Sequence, residues 1–106
     1  MERKTALITG ATSGIGEACA RRFANGGYNI IITGRTADKL HALKAELETE
    51  GVSVLALAFD VCDRNATREA VNSIPESFKP IDVLINNAGL ARGLEPEYEG
   101  NFQDWD

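Results

Sequence analysis

The sequence predicts an α/β fold, in which a parallel β-sheet carries helices on both of its faces. Four short apolar segments are separated by three segments whose apolar residues recur with the spacing of an α-helix. Alternation of this kind is typical of strands joined by helical crossovers. The 106 residues, 43% of them hydrophobic and 25% charged, have the composition of one globular domain.

The first half of the chain predicts a strand, a helix and a second strand. Residues 5–9 are short and apolar, and residues 28–33 are rich in β-branched side chains, so both are expected to be buried strands. Residues 15–25 lie between them and predict a helix that the following pair of glycines ends. Its expected buried face consists of Ile15, Cys19, Ala20 and Phe23.

The second half repeats the pattern. Thr36 is suited to cap a helix that runs to about Glu50, and residues 52–59 predict a third strand. The apolar stripe expected on that helix is Leu40, Leu43, Ala45 and Leu47.

A third, shorter helix is capped by either Asp63 or Asn65 and extends to about Ile74. A loop between two prolines precedes a fourth strand at residues 81–85. Residues 90–106 are interpreted as a loop, with a helix beginning near Phe102.

The turn after the first strand contains three glycines with the spacing Gly-x-x-x-Gly-x-Gly. Gly10 permits a tight turn, Gly14 permits close approach of a phosphate, and Gly16 permits close packing of the helix. The helix N-terminus offers unpaired N–H groups to an anion, and the hydroxyls of Thr12 and Ser13 stand beside it. A glycine-rich turn without a ligand is the alternative, which the position between strand and helix disfavours.

Two further motifs stand at the ends of later strands: Asp60-Val61 after the third, and Asn86-Asn87-Ala88-Gly89 after the fourth. Together with residues 9–16, TGATSGIG, they resemble the signatures of the short-chain dehydrogenase/reductase family. The resemblance implies a Rossmann-type, doubly wound parallel sheet with strand order 3-2-1-4. The cofactor-binding residues that it implies are Gly10, Thr12, Ser13, Gly14, Ile15, Gly16, Arg35, Asp60, Val61, Asn86, Asn87, Ala88 and Gly89.

Residues 86–96, followed by Asp104-Trp105, resemble one branch of that family more closely. This branch comprises NADP-dependent 3-hydroxy acid dehydrogenases, including serine and allo-threonine dehydrogenases. It implies hydride transfer between NADP(H) and a small hydroxy acid, or another alcohol or carbonyl substrate.

Arg35 favours NADP over NAD. NAD enzymes usually carry an acid after the second strand to bind the ribose hydroxyls, but no acid precedes Asp38 here. The planar guanidinium of Arg35 is suited to the 2′-phosphate of NADP. Lys39 is interpreted as a solvated residue of the helix surface.

Several roles stay open at this point. Asp60 either accepts a hydrogen bond from adenine or is a strand-end or capping carboxylate, as Asp63 could equally be. Asn86 and Asn87 either border the cofactor ribose or tie neighbouring strands together, two roles that are compatible with each other.

The family's catalytic tyrosine has a lysine four residues later, and a serine positions the substrate. Neither Tyr28 nor Tyr98 has that lysine, so no catalytic residue is assigned. Residues 1–106 are interpreted as the N-terminal part of one NADP-binding domain, inactive without its catalytic part. The alternative is a non-catalytic NADP(H)-binding module. Receiver domains and methyltransferases are disfavoured, because both require acidic residues at strand ends that carry glycine or arginine here.

The net charge of −5 disfavours a nucleic-acid surface. No apolar stretch is long enough to span a membrane and no signal peptide is recognised, so we expect a cytoplasmic protein. Cys19 and Cys62 are expected to be buried, with no metal site. The fourth strand would form an exposed edge, and relatives are commonly tetramers, so a homo-oligomer is expected.

Overall fold

The computed structural model describes residues 3–87, and within them the predicted alternation of strands and helices is present. Residues 88–106, with the expected loop and the helix near Phe102, lie outside the described residues. The elements are β1 (Thr5–Thr9), α1 (Gly14–Asn25), β2 (Asn29–Gly34), α2 (Ala37–Glu48), β3 (Val54–Ala58), α3 (Arg64–Asn72), a 3₁₀ turn (Glu76–Phe78) and β4 (Val83–Asn86).

The strands form one parallel sheet in the order β3-β2-β1-β4, which confirms the predicted topology. In the register of the sheet, Leu7 of β1 pairs with Ile31 of β2 and with Leu84 of β4. Because all four strands run in the same direction, their carboxyl ends meet at one edge, here called the carboxyl edge. Every motif found in the sequence follows a strand at this edge.

Helices α1 and α2 cover the first face of the sheet. Alternate residues of the central strands, such as Ile8 and Ile32, point into this layer and are fully buried. The helices contribute small residues from α1 and leucines from α2, so the helices pack close to the strands. The helical residues buried there are Ala20, Ala24, Leu40, Leu43 and Leu47.

The second face is covered by α3 and the 3₁₀ turn. Its buried residues are Leu7, Ile31, Ile74 and Phe78. The segment between the two prolines was predicted to be a loop. It contains the 3₁₀ turn, which carries Phe78 onto this face. Helix α3 has no fully buried residue, and all four residues of β4 are partly exposed.

Two predictions of helix faces are wrong. Ile15 is 71% exposed, because the buried stripe of α1 is Gly16, Ala20 and Ala24, four residues apart, and Ile15 precedes it by one position. Ala45 is also exposed, because it lies two positions from Leu43 and therefore on the opposite side of α2.

The boundaries shift by a few residues. Helix α2 ends at Glu48, β3 begins at Val54 and β4 begins at Val83. Asp63, not Asn65, caps α3, since its carboxylate accepts the N–H of Ala66 at 3.1 Å. No helix within residues 3–87 is long and apolar enough to cross a bilayer.

Candidate functional site

A cleft of about 310 Å³ opens at the carboxyl edge. It gathers residues that follow all four strands, and seven of them belong to the predicted binding set. Its walls consist of Gly10, Thr12, Ser13, Gly34, Arg35, Thr36, Phe59, Asp60, Val61, Cys62 and Asn87.

The turn between β1 and α1 is built from backbone packed against backbone. Gly10 has φ of 63°, in the left-handed region that favours glycine. A Cβ added to Gly16 would lie 2.1 Å from the carbonyl oxygen of Gly10. Gly16 therefore lets α1 pack against the turn itself.

Gly14 differs from Gly16, because a side chain at position 14 would not collide with any part of the protein. A Cβ added at Gly14 would have no heavy atom within 4 Å. Gly14 is the first residue of α1, where the backbone N–H groups have no acceptor inside the helix. The open space therefore lies beside donors that carry the positive end of the helix dipole.

The two asparagines at the end of β4 have different hydrogen-bond partners. Asn86 accepts a hydrogen bond from the hydroxyl of Thr9 at 3.0 Å, which ties β4 to β1. Asn87 turns toward the glycine loop, where its Nδ2 donates to the Oγ of Ser13 at 2.6 Å and to the carbonyl oxygen of Gly10 at 3.2 Å. Asn87 lines the cleft and Asn86 does not.

Arg35 is the arginine that lines the cleft, and its side chain is exposed. Within residues 3–87 its guanidinium has no carboxylate partner. Arg21, by contrast, bridges Glu17 of α1 and Glu46 of α2. Hydrogen bonds to Glu46 and Glu17 raise the pKa of Arg21. Lys39 lies beside these ion pairs of Arg21, outside the cleft.

The loop after β3 supplies the opposite wall. Asp60 accepts the backbone N–H of Cys62 at 2.9 Å, so its carboxylate stays at the mouth of the cleft. Asp63 is the helix cap, while the bond of Asp60 to adenine stays a prediction. Cys62 was expected to be buried, and this is wrong: it is exposed at the cleft, because the loop carries it past the end of the sheet.

Four lining residues were not predicted from the sequence: Gly34, Thr36, Phe59 and Cys62. Each is a chain neighbour of a predicted residue at a strand end, and that position is the signal that could have found them. Of the predicted set, Gly14, Ile15, Gly16 and Asn86 stand beside the cleft without lining it, and Ala88 and Gly89 lie outside the described residues.

Residues 4–106 match the family model of short chain dehydrogenases. The chain is 50% identical over 101 residues to serine 3-dehydrogenase of Agrobacterium fabrum, covering 95% of this chain and 39% of that protein. It is 49% identical over 100 residues to the NADP-dependent 3-hydroxy acid dehydrogenase YdfG of Salmonella typhi, covering 94% and 39% respectively. The chain therefore spans about two fifths of the length of the curated relatives it matches.

Among solved structures, the fold matches L-sorbose reductase from Gluconobacter frateurii, determined with NADPH and L-sorbose. The TM-score is 0.77 at 41% identity, over 84% of this chain and 34% of that one. These matches confirm the predicted resemblance to the branch of NADP-dependent 3-hydroxy acid and serine dehydrogenases.

Proposed function

The chain belongs to the short chain dehydrogenase family, and from that membership we propose that residues 1–106 are the NADP-binding part of an oxidoreductase. The observation that carries this proposal is the cleft, in which a glycine loop, an unpaired arginine and a strand-end aspartate face one space. Ligands of doubly wound sheets bind at this edge, where the strand order reverses between β1 and β4.

The residues present fit a dinucleotide. The space beside Gly14, which a Cβ would enter, leaves room for the pyrophosphate next to the N–H groups of α1. We assign the adenine to Asp60 and Val61, because both line the cleft and the Asp60 carboxylate is an acceptor suited to an amino group. When bound, NADP(H) accepts or donates a hydride.

The preference for NADP is attributed to Arg35. Its guanidinium is exposed at the cleft and unpaired within residues 3–87, so it is available to a doubly charged 2′-phosphate. The acid that would bind the 2′-hydroxyl of NAD is missing from residues 33–36, while Asp38 belongs to the first turn of α2.

We propose a small hydroxy acid as the substrate class, since the two relatives above are named as dehydrogenases of serine and of 3-hydroxy acids. No residue between 3 and 87 is assigned a catalytic role. Tyr28 packs edge-on against Phe23, with ring centroids 4.8 Å apart, and is partly buried against the core on the first face of the sheet. Tyr98 lies outside the described residues. A cytoplasmic location also remains a prediction.

The experiment that tests this proposal compares NADPH and NADH binding by isothermal titration calorimetry. We expect the wild type to prefer NADPH, and Arg35→Asp to weaken NADPH binding about tenfold or more while strengthening NADH binding, because one charge-assisted contact becomes a repulsion. Lys39→Asp is the matched control, since it makes the same kind of charge change outside the cleft. An unchanged ratio of the two affinities in Arg35→Asp would remove the assignment of Arg35.

We also propose that the protein associates with further copies of itself. Within residues 3–87, β4 pairs on one side only, with β1, and its residues are all partly exposed. Unpaired strand edges and apolar surface favour association. Light scattering after size-exclusion chromatography is expected to give more than the monomer mass, and a strictly monomeric protein at all concentrations would contradict this part.

A further inference from the structure

Ser13 occupies the N-cap position of α1 without capping the helix. Its backbone is extended, with φ of −86° and ψ of 164°, as is usual for an N-cap. An N-cap serine normally accepts the N–H of the second or third helical residue, here Ile15 or Gly16. The Ser13 side chain makes no such bond. Its hydroxyl instead donates to the carbonyl oxygen of Gly10 at 2.9 Å.

Asn87 holds the serine in that orientation. One amide hydrogen goes to the Oγ of Ser13, at 2.6 Å, and the other to the carbonyl oxygen of Gly10, at 3.2 Å. The hydroxyl of Ser13 thus has both a donor and an acceptor away from the helix. Asn87 itself follows β4, which the pairing of Asn86 with Thr9 fixes in the sheet.

We propose that Asn87 is a positioning residue that keeps the N-terminus of α1 uncapped for the cofactor. By binding the hydroxyl of Ser13, it prevents that oxygen from occupying the N–H groups of Ile15 and Gly16. Those groups then remain free for the phosphate oxygens. This inference rests on the proposed NADP function. Because the amide hydrogens of Asn87 bond to the protein, Asn87 acts on the site through Ser13 and not by donating to the cofactor.

Without the Asn87 side chain, the Ser13 hydroxyl competes with the cofactor for the N–H groups at the start of α1. Without the amide donor, the Ser13 hydroxyl gains by turning to accept an N–H of the first helical turn. The cofactor must then displace it. The N-cap bond is worth about 1 kcal/mol, which corresponds to about a fivefold loss of affinity.

The decisive experiment is a double-mutant cycle on Asn87 and Ser13, with NADPH affinity measured by calorimetry and the thermal midpoint measured without cofactor. We expect Asn87→Ala to weaken NADPH binding about fivefold when Ser13 is present. In the Ser13→Ala background, which has no hydroxyl to form the cap, the same substitution is expected to change the affinity by less than about twofold. Asn87→Leu, nearly isosteric and unable to donate, is expected to behave like Asn87→Ala, and serves where the alanine variant folds poorly.

Asn72→Ala is the matched control, because Asn72 is an exposed asparagine at the C-terminal end of α3 and does not line the cleft. A merely structural role of Asn87 would lower affinity equally in both backgrounds, together with the thermal midpoint. That result, or wild-type affinity in both Asn87 variants, would overturn the proposal. A wild-type protein that fails to bind NADPH would instead count against the proposed function, so the two failures are distinguishable.

Discussion

The two faces of the sheet are packed to different degrees. On the first face, Ile8, Ile30, Ile32 and Leu40 are fully excluded from solvent. On the second face, Leu7 and Ile31 of the central strands are buried, but Leu55, Leu57 and Leu84 of the outer strands are only partly covered, as are Ala56, Val83 and Ile85 of the same strands on the first face. The difference follows from the helices: α1 and α2 bring small residues and leucines to the strands, whereas α3 is short and buries no residue completely.

The two faces also end differently at the carboxyl edge, where the cleft lies. At the carboxyl edge, the first face ends where Gly16 of α1 packs closely against the backbone of Gly10 in the glycine loop. The second face ends at the same edge in polar side chains: Thr9 and Asn86 bond each other, and Thr33 has a buried hydroxyl without a partner in the described part of the chain. The cleft lies at this edge, where the two faces meet.

The largest effect on stability is expected at Gly16, where α1 packs against the glycine loop. Gly16→Ala places a methyl group 2.1 Å from the Gly10 carbonyl oxygen, and the backbone on both sides cannot yield without opening the loop. We expect the free energy of unfolding to fall by about 3 kcal/mol or more, at the upper end of overpacking effects. Urea unfolding followed by circular dichroism measures it.

Gly14→Ala is the control, because its Cβ meets nothing within 4 Å. We expect its stability to equal or slightly exceed that of the wild type, since alanine is the better helix former. Its NADPH affinity is expected to fall, because the methyl group takes the space proposed for the pyrophosphate. If Gly16→Ala were as stable as Gly14→Ala, the packed loop described above would be wrong.

A smaller effect separates the two faces directly. Leu40→Ala removes a fully buried side chain from the first face and is expected to cost about 3 kcal/mol. Leu84→Ala makes the same chemical change on the partly exposed second face, where less area and a smaller cavity are involved, and is expected to cost about 1 kcal/mol. Equal losses in urea unfolding would mean that the second face is as well packed as the first.

The sequence predicted the elements well because each has a local cause. Glycines at positions 26, 27 and 51 end the helices near where they were expected, and apolar runs between them form the strands. Errors arose where the pattern was shifted by one position, as at Ile15, or where a residue was apolar but small, as at Ala45. Periodicity did not decide between two similar registers of α1, whereas at Ala45 the spacing of two positions from Leu43 already indicates the exposed side of α2.

Hydrogen bonds between distant parts of the chain were not predictable in the same way. The roles of Asn86 and Asn87 stayed open, because their partners lie 74 or more residues earlier in the chain. Only the pairing of β4 with β1 brings Asn86 to Thr9 and Asn87 to Ser13. Cys62 was expected inside for a similar reason, since a small apolar side chain is usually buried and only the path of the loop exposes it.

By itself the sequence determined the order of strands and helices, the parallel sheet and the family, because these depend on local pattern and on motifs at strand ends. Only the tertiary structure decided which motif residues share the cleft and that Asn87 reaches Ser13 across 74 residues of chain. The physical reason is distance along the chain. Local pattern fixes each element, but the contacts that shape the site form between elements and depend on how they pack.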